Sequence, residues 1–127
     1  MSFRRMIAAA AALGFFGVVA GTFGAHGLEG RVEADLLSTF EVGVRYQMYH
    51  AIALLAAAPL LARLGRAGSA VAWLWIIGSL IFAGTLYLLV LTGQRWLGAI
   101  TPLGGVCLLG GWATLAVSAL RRRDLSA

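Results

Sequence analysis

The side chains best suited to chemistry in this sequence are polar groups that stand in an otherwise apolar chain. They are His26, Glu41, Arg45, Gln47, Tyr49, His50 and Thr85. Ionisable or strongly polar groups in apolar surroundings are costly, so they are candidates for a functional site by default. If these side chains face a common cavity, they could form a polar pocket that binds a ligand, a quinone headgroup or a proton.

The spacing of these residues divides them between two faces of a predicted helix. Glu41, Arg45 and Tyr49 recur every four residues on one face, whereas Gln47 and His50 lie on another. At about 1.5 Å per residue, His50 lies on the order of 7 Å deeper than Arg45. A structural interpretation is also open: Glu41 and Arg45 form a salt bridge at the membrane surface, and His50 hydrogen-bonds to a neighbouring helix. The candidate partners of His50 are Thr85, Tyr87 and His26.

Common catalytic and metal-binding patterns are absent from the sequence. It contains no Ser/His/Asp array, no paired carboxylates and no phosphate-binding loop. His26 and His50 have no acidic or cysteine ligand at a spacing typical of a metal site. The single cysteine, Cys107, can form neither an internal disulfide nor a metal cluster. We therefore expect no catalytic site, no bound metal, no cofactor and no enzymatic activity.

The amino-acid composition indicates which solvent surrounds the helices that carry these groups. Of 127 residues, 61% are hydrophobic and only 12% are charged, and the mean hydropathy is +0.89. A soluble domain of this size cannot bury so much apolar surface, and a disordered chain would need the opposite composition. The net charge of +5 does not indicate nucleic-acid binding, because the arginines are scattered between apolar runs. The partner must be the lipid bilayer.

Four apolar segments predict an all-α integral membrane four-helix bundle in one domain, residues 1–127. Since a spanning helix needs about 20 mostly apolar residues, we place the spans at about residues 6–25, 44–62, 70–92 and 97–120. The second reaches this length only by including Arg45, Gln47 and His50. We expect the first to be a retained span, because signal peptides have an apolar region of only about 7–15 residues.

The long connection between the first two spans contains an amphipathic stripe. Val32, Leu36, Phe40 and Val44 recur every four residues. This pattern predicts an interfacial helix over about residues 31–43 on the outer membrane surface. The helix either bends at Gly43 into the second span or continues it directly, since glycine weakens a helix interior.

Arginines predict the orientation of the chain. Of ten basic residues, all arginine, seven lie at the side of the two termini and three lie on the other side. Cytoplasmic loops carry the excess of Lys and Arg. We therefore expect a multi-pass protein of the cell inner (plasma) membrane with both termini in the cytoplasm, or in the matrix if the membrane is organellar.

Small residues form a stripe along the first span. Gly14, Gly17, Gly21 and Gly24 follow a spacing of three and four residues and share one face. Helices in lipid associate through close packing at such faces. The stripe therefore predicts a close crossing, either with a neighbour in the same bundle or with a second copy of the chain.

Four strings of the sequence resemble one known family. They are Gly24–Leu28 (GAHGL), residues 40–51 with the run GVRYQMYHA, residues 82–87 (FAGTLY) and residues 97–105 (LGAITPLGG). Together and in this order they resemble the transmembrane protein 256 family of small four-span membrane proteins. Many members have serine where this chain has Thr85, which keeps a hydroxyl. The resemblance implies an inner-membrane or plasma-membrane protein and brings no established activity.

These observations leave two function hypotheses from different classes. The first is a structural or accessory membrane protein, without a catalytic site, that belongs to a homo-oligomer or a larger membrane complex. The alternative is a small oligomeric transporter, or a carrier that binds a ligand or proton with the polar cluster at the outer end of the second span. A membrane enzyme has no residue-level support.

Overall fold

The computed structural model describes residues 1–121, all of whose regular structure is helical. The elements are α1 (Phe3–Phe23), a π-helical turn (Gly24–Leu28), α2 (Ala34–Arg63), α3 (Arg66–Thr92), a 3-10 turn (Arg95–Ala99) and α4 (Thr101–Arg121). Arg122 and Arg123, which contribute to the predicted charge asymmetry, lie outside the described residues. The prediction of an all-α chain is confirmed for the described part.

Tight turns at glycine make consecutive helices antiparallel neighbours. Gly65 separates α2 from α3 at φ 61°, and Gly93 ends α3 at φ 71°. The Gly93 N–H donates to the carbonyl oxygen of Leu89 over 2.9 Å. A residue with a Cβ is strained at a positive φ, so glycine is the residue that these two turns require.

The helices pack in chain order rather than as a closed ring. α1 packs against α2, α2 against α3, and α3 against α4. Among the described residues, α1 and α4 form no packed pair, and α1 touches α3 only weakly. The four helices therefore form an open row rather than the closed bundle that was predicted, with α2 and α3 as the inner helices and α1 and α4 as the outer ones.

The core lies on both sides of α3. Trp75, Val71 and Ala72 of α3 pack with Leu54 and Leu61 of α2 in a cluster of fully buried side chains. The same cluster extends to α1 and α4 through a second set of buried residues: Met6, Ala10, Leu13 and Leu108.

Glycines bring α3 and α4 into backbone contact. A Cβ at Gly104 would lie 2.5 Å from the backbone nitrogen of Phe82, and one at Gly78 would lie 3.0 Å from the Gly104 carbonyl oxygen. Such a distance is far inside van der Waals contact, so only glycine fits. The crossing of α3 and α4 is thus a close contact of the two backbones.

Three segments are long and apolar enough to cross a membrane: Phe3–Leu28, Arg66–Thr92 and Arg95–Arg121. α2 is equally long at 30 residues but more polar, because it carries Asp35, Glu41 and Arg45 in its first half. The predicted separate interfacial helix is not found. Residues 34–43 are instead the first turns of a continuous α2, which was the alternative that the sequence left open.

Large apolar side chains cover the outer surface of the bundle. Phe15, Phe16, Leu103, Val106 and Leu109 are all more than 60% exposed, and Leu109 reaches 70%. Side chains of this kind are stable at a surface only if the solvent is itself apolar. The helices therefore present a lipid-facing surface.

Candidate functional site

Gln47 is the buried polar residue that connects the largest number of helices. Its side chain, on α2, is 6% exposed. Its Nε2 donates to the carbonyl oxygen of Leu13 on α1 over 2.8 Å. Its Oε1 accepts from the Tyr87 hydroxyl on α3 over 2.9 Å. One amide thus links three helices, and the Leu13 carbonyl can accept because a carbonyl oxygen has two lone pairs.

His50 lies at the junction of α2, α3 and α4 and is also 6% exposed. The indole Nε1 of Trp112 donates to His50 Nε2 over 3.1 Å, and His50 Nδ1 lies 2.8 Å from the Tyr46 carbonyl oxygen. Indole nitrogen is only a donor and a carbonyl oxygen only an acceptor. The two bonds therefore assign the neutral tautomer in which Nδ1 carries the hydrogen and Nε2 accepts.

Aromatic rings surround the His50 imidazole. The ring centroids of Trp75 and Trp112 are 4.6 Å apart, and each lies 6.2 Å from that of His50. Tyr46 and Phe82 pack beside them at 4.9 Å. Tilted and edge-to-face rings at such distances contribute more than their buried area alone. This cluster holds the imidazole between apolar walls.

Thr85 pairs with Thr101, the first residue of α4, rather than with His50. The hydroxyls of Thr85 and Thr101 lie 2.8 Å apart. Thr85 Oγ1 also lies 2.7 Å from the Ile81 carbonyl oxygen, and Thr101 Oγ1 lies 3.3 Å from that of Leu97. The hydroxyl pair connects α3 to α4 near their shared end.

The structure does not gather the remaining candidates into one pocket. His26 lies exposed on the π-helical turn, and Glu41, Arg45 and Tyr49 are exposed along one face of α2. Among the described residues no ion pair joins Glu41 to Arg45, which corrects the expected salt bridge. An exposed pair gains little from Coulomb attraction and loses side-chain entropy, so its absence costs little.

The glycine stripe of α1 packs on α2 of the same chain. A Cβ at Gly17 would lie 2.5 Å from Met48 Sδ, and one at Gly21 would lie 3.3 Å from Val44 Cγ1. Gly24 faces Phe40 at 3.2 Å, whereas Gly14 has only ordinary contact with Ala51 at 3.9 Å. The stripe therefore lets α2 side chains approach α1 within one bundle.

Two partners were missed by the sequence analysis. Trp112 was not among the predicted partners of His50, yet it donates the hydrogen bond to that imidazole. The signal was its position far inside an apolar helix, where an indole N–H kept away from water needs an acceptor. The Leu13 carbonyl, which pairs with Gln47, carries no sequence signal because every residue has one.

The described residues contain no group of histidine, cysteine, aspartate and glutamate side chains that could hold a metal ion. The buried polar groups bond to one another and to backbone carbonyls across helices. Two buried atoms are exceptions: in the described part of the chain, Ser79 Oγ and Trp75 Nε1 have no hydrogen-bond partner.

Several known proteins are similar to this chain in sequence. The model of the family described as "Protein of unknown function (DUF423)" matches residues 20–105. The UPF0382 membrane protein YwdK of Bacillus subtilis (strain 168) is 44% identical over 80% of this chain and 84% of its own length. The UPF0382 inner membrane protein YgdD of Escherichia coli (strain K12) is 36% identical over 95% and 93%, respectively.

A UPF0382 membrane protein of Haemophilus influenzae is 40% identical over 88% of this chain and 90% of its own length. No solved structure matches the chain. The relatives are membrane proteins, as composition and fold predict. The chain belongs to the DUF423 (UPF0382) family of membrane proteins.

Proposed function

We propose that this protein is a non-catalytic, accessory subunit of a larger membrane assembly, and that its buried polar side chains serve to hold its own helices together. The observation that carries the proposal is the pairing of those side chains. Gln47, His50 and Thr85 each bond to another helix of the same chain. Catalysis needs a base, acid or nucleophile that is free to meet a substrate.

The geometry of these bonds is that of a helix connector. Polar side chains between membrane helices contribute about 0.6 kcal/mol on average and up to about 1.7 kcal/mol each. Apolar packing gives little driving force for helix association in lipid. Several hydrogen bonds of this kind therefore contribute stability to a bundle that is not closed into a ring. Nothing in the described residues supports the transporter alternative.

The outer helices offer the surface for assembly. α1 and α4 each pack mainly on one neighbouring helix of the chain, and the rest of their surface is mostly apolar. A homo-oligomer or a larger complex would cover part of that surface. The same surface faces lipid when the protein is alone, so the mass of the native assembly distinguishes the two states.

The test is the mass of the native assembly. The tagged chain is expressed at its native level, cross-linked in intact membranes, extracted in mild detergent and sized. We expect one species of constant partner composition, well above the 13.3 kDa of the chain. A chain that remains monomeric, both in mild detergent and in lipid nanodiscs cut from native membranes, would contradict the proposal.

For topology we propose four crossings with both termini in the cytoplasm of an inner or plasma membrane. The arginine asymmetry supports this orientation, and the inner-membrane name of the relative YgdD supports the location. α2 then crosses as the most polar span, with Glu41 and Arg45 near the outer headgroups. Arginine and glutamate at that depth can reach water by extension of their side chains.

We propose further that the DUF423 family and the transmembrane protein 256 family share this fold. The four strings that resemble the second family support it. They contain Gln47, His50, Tyr87 and Thr101, which are among the residues that form the hydrogen bonds between helices.

A further inference from the structure

A groove opens between α1 and α3, where those two helices are in weak contact. We call it the α1–α3 groove and define it by six residues: Ala12 and Phe16 of α1, Gln47 of α2, and Ser79, Gly84 and Tyr87 of α3. Its volume is 410 Å³. Pockets for small molecules measure about 300–1,000 Å³, with apolar walls and a few polar groups.

Two donors in the wall of the groove are unused or only partly used by the protein itself. Ser79 is 2% exposed and its hydroxyl has no partner among the described residues. By contrast, the hydroxyls of Thr85 and Thr114 bond to the carbonyl four residues earlier. Gln47 Nε2 has two hydrogens, and within the described part of the chain it bonds only to Leu13. A buried unpaired donor is costly, and an acceptor from outside would remove that cost.

Residues with little or no side chain keep the groove open. A Cβ at Gly84 would have no atom within 4 Å, apart from its local helix and chain neighbours. Ala12 stands on the opposite wall, and its methyl is the smallest side chain after glycine. The space is therefore kept open by small residues on both walls, while Phe16 and Tyr87 supply aromatic side chains.

The depth of Ser79 restricts the chemistry of an occupant. Ser79 lies thirteen positions after Arg66, so it stands about 20 Å along a helix of about 40 Å. That position is the middle of the bilayer if α3 spans it. The ester carbonyls of a phospholipid lie at the interface, about 15 Å away from the centre of a 30 Å core. They do not reach this hydroxyl.

Charge excludes a fatty acid in the same position. Of the described residues that line the groove, none is charged, so a carboxylate at this depth would be unpaired and costly. These observations favour a neutral, mostly apolar occupant with a hydrogen-bond acceptor that enters the hydrocarbon core, and the rings of Phe16 and Tyr87 favour a flat ring.

We propose that the α1–α3 groove binds a membrane quinone. A ring carbonyl accepts a hydrogen bond from the Ser79 hydroxyl, the second amide hydrogen of Gln47 is a further donor, and the apolar tail leaves the groove toward lipid. The proposal concerns binding only and does not depend on whether the protein is an accessory subunit.

Titration calorimetry of the full-length protein in detergent micelles tests this site, with protein-free micelles as the blank. The probe is a decyl-substituted benzoquinone, and decylbenzene is the matched ligand without carbonyls. We expect saturable one-to-one binding of the quinone and none of decylbenzene. Ser79→Ala removes one hydrogen bond and should weaken quinone binding about tenfold.

Filling the groove gives a second test. Gly84→Leu should abolish quinone binding, whereas Gly110→Leu should bind within about twofold of wild type. Gly110 does not line the groove, and a Cβ there meets only Leu74 at an ordinary 3.8 Å. If Gly84→Leu fails to fold, as judged by gel filtration and circular dichroism, Ala12→Leu fills the groove from the other wall.

Several results would overturn the proposal. Equal binding of decylbenzene would show a groove for hydrocarbon alone. No saturable binding of the quinone, unchanged affinity in Ser79→Ala, or equal affinity in folded Gly84→Leu or Ala12→Leu would place the quinone elsewhere or nowhere.

Discussion

Trp112 donates its indole N–H to Nε2 of His50 across 3.1 Å, and so connects α4 to α2 although the two helices scarcely pack on each other. The bond passes beside Trp75 of the intervening α3, whose ring contacts both partners. Three helices therefore meet at one imidazole. Because Nε2 accepts, His50 contributes to the fold in its neutral form.

The first prediction concerns this indole. Trp112→Phe keeps an aromatic ring and removes the donor, so it should lower the free energy of unfolding by about 1 kcal/mol. Reversible unfolding in mixed micelles, followed by circular dichroism, measures the change. The control is Trp96→Phe, since Trp96 is exposed and should tolerate the change. Equal stability of Trp112→Phe and wild type would show that the bond contributes nothing to folding.

The second prediction compares the effect of alanine at two glycines of the apolar spans, one tightly packed and one in open space. Gly104→Ala should destabilise the protein by about 1–3 kcal/mol, because the new Cβ would lie 2.5 Å from the Phe82 nitrogen and overpack the crossing. Gly84→Ala meets open space and should stabilise the helix by up to about 1 kcal/mol. Thermal unfolding in one detergent checks that Gly104→Ala is less stable than wild type and that Gly84→Ala is more stable. A tolerated Gly104→Ala would mean that α3 and α4 are farther apart than described.

The third prediction concerns topology and rests on the arginines. Single cysteines replace Ser2, Ser38 or Ser126 in a Cys107→Ala background, and intact cells are treated with an impermeant maleimide. Only position 38 should be labelled, and all three after permeabilisation. Labelling of positions 2 and 126 in intact cells would reverse the orientation, and labelling of only one of them would exclude an even number of crossings.

Much of the fold could be predicted because hydropathy alone distinguishes lipid-facing helices from loops. The exception is the first part of α2. The sequence left open a bend at Gly43, since glycine weakens a helix. In the structure α2 continues, and the missing side chain admits the Tyr87 ring, which a Cβ would approach to 2.9 Å. Glycine serves packing there, and the sequence does not show the neighbour that requires it.

The candidate site could be predicted only in part. Helical periodicity separates Gln47 and His50 from Glu41 and Arg45, and the first pair is buried while the second is exposed. Partners could not be deduced, because they depend on how far each helix is shifted along its neighbour. A shift of one turn would exchange Trp112 for another residue opposite His50.

The central claim is that buried polar side chains of this protein hold its helices together. A double-mutant cycle of Gln47→Leu and Tyr87→Phe, measured as free energies of unfolding in the same bicelles, tests it most directly. We predict that each single change destabilises the protein and that the two are coupled by at least about 0.6 kcal/mol, the average for hydrogen bonds between membrane helices, and by no more than about 1.7 kcal/mol. Additive effects within about 0.3 kcal/mol, with both variants as stable as wild type, would contradict a structural role for Gln47.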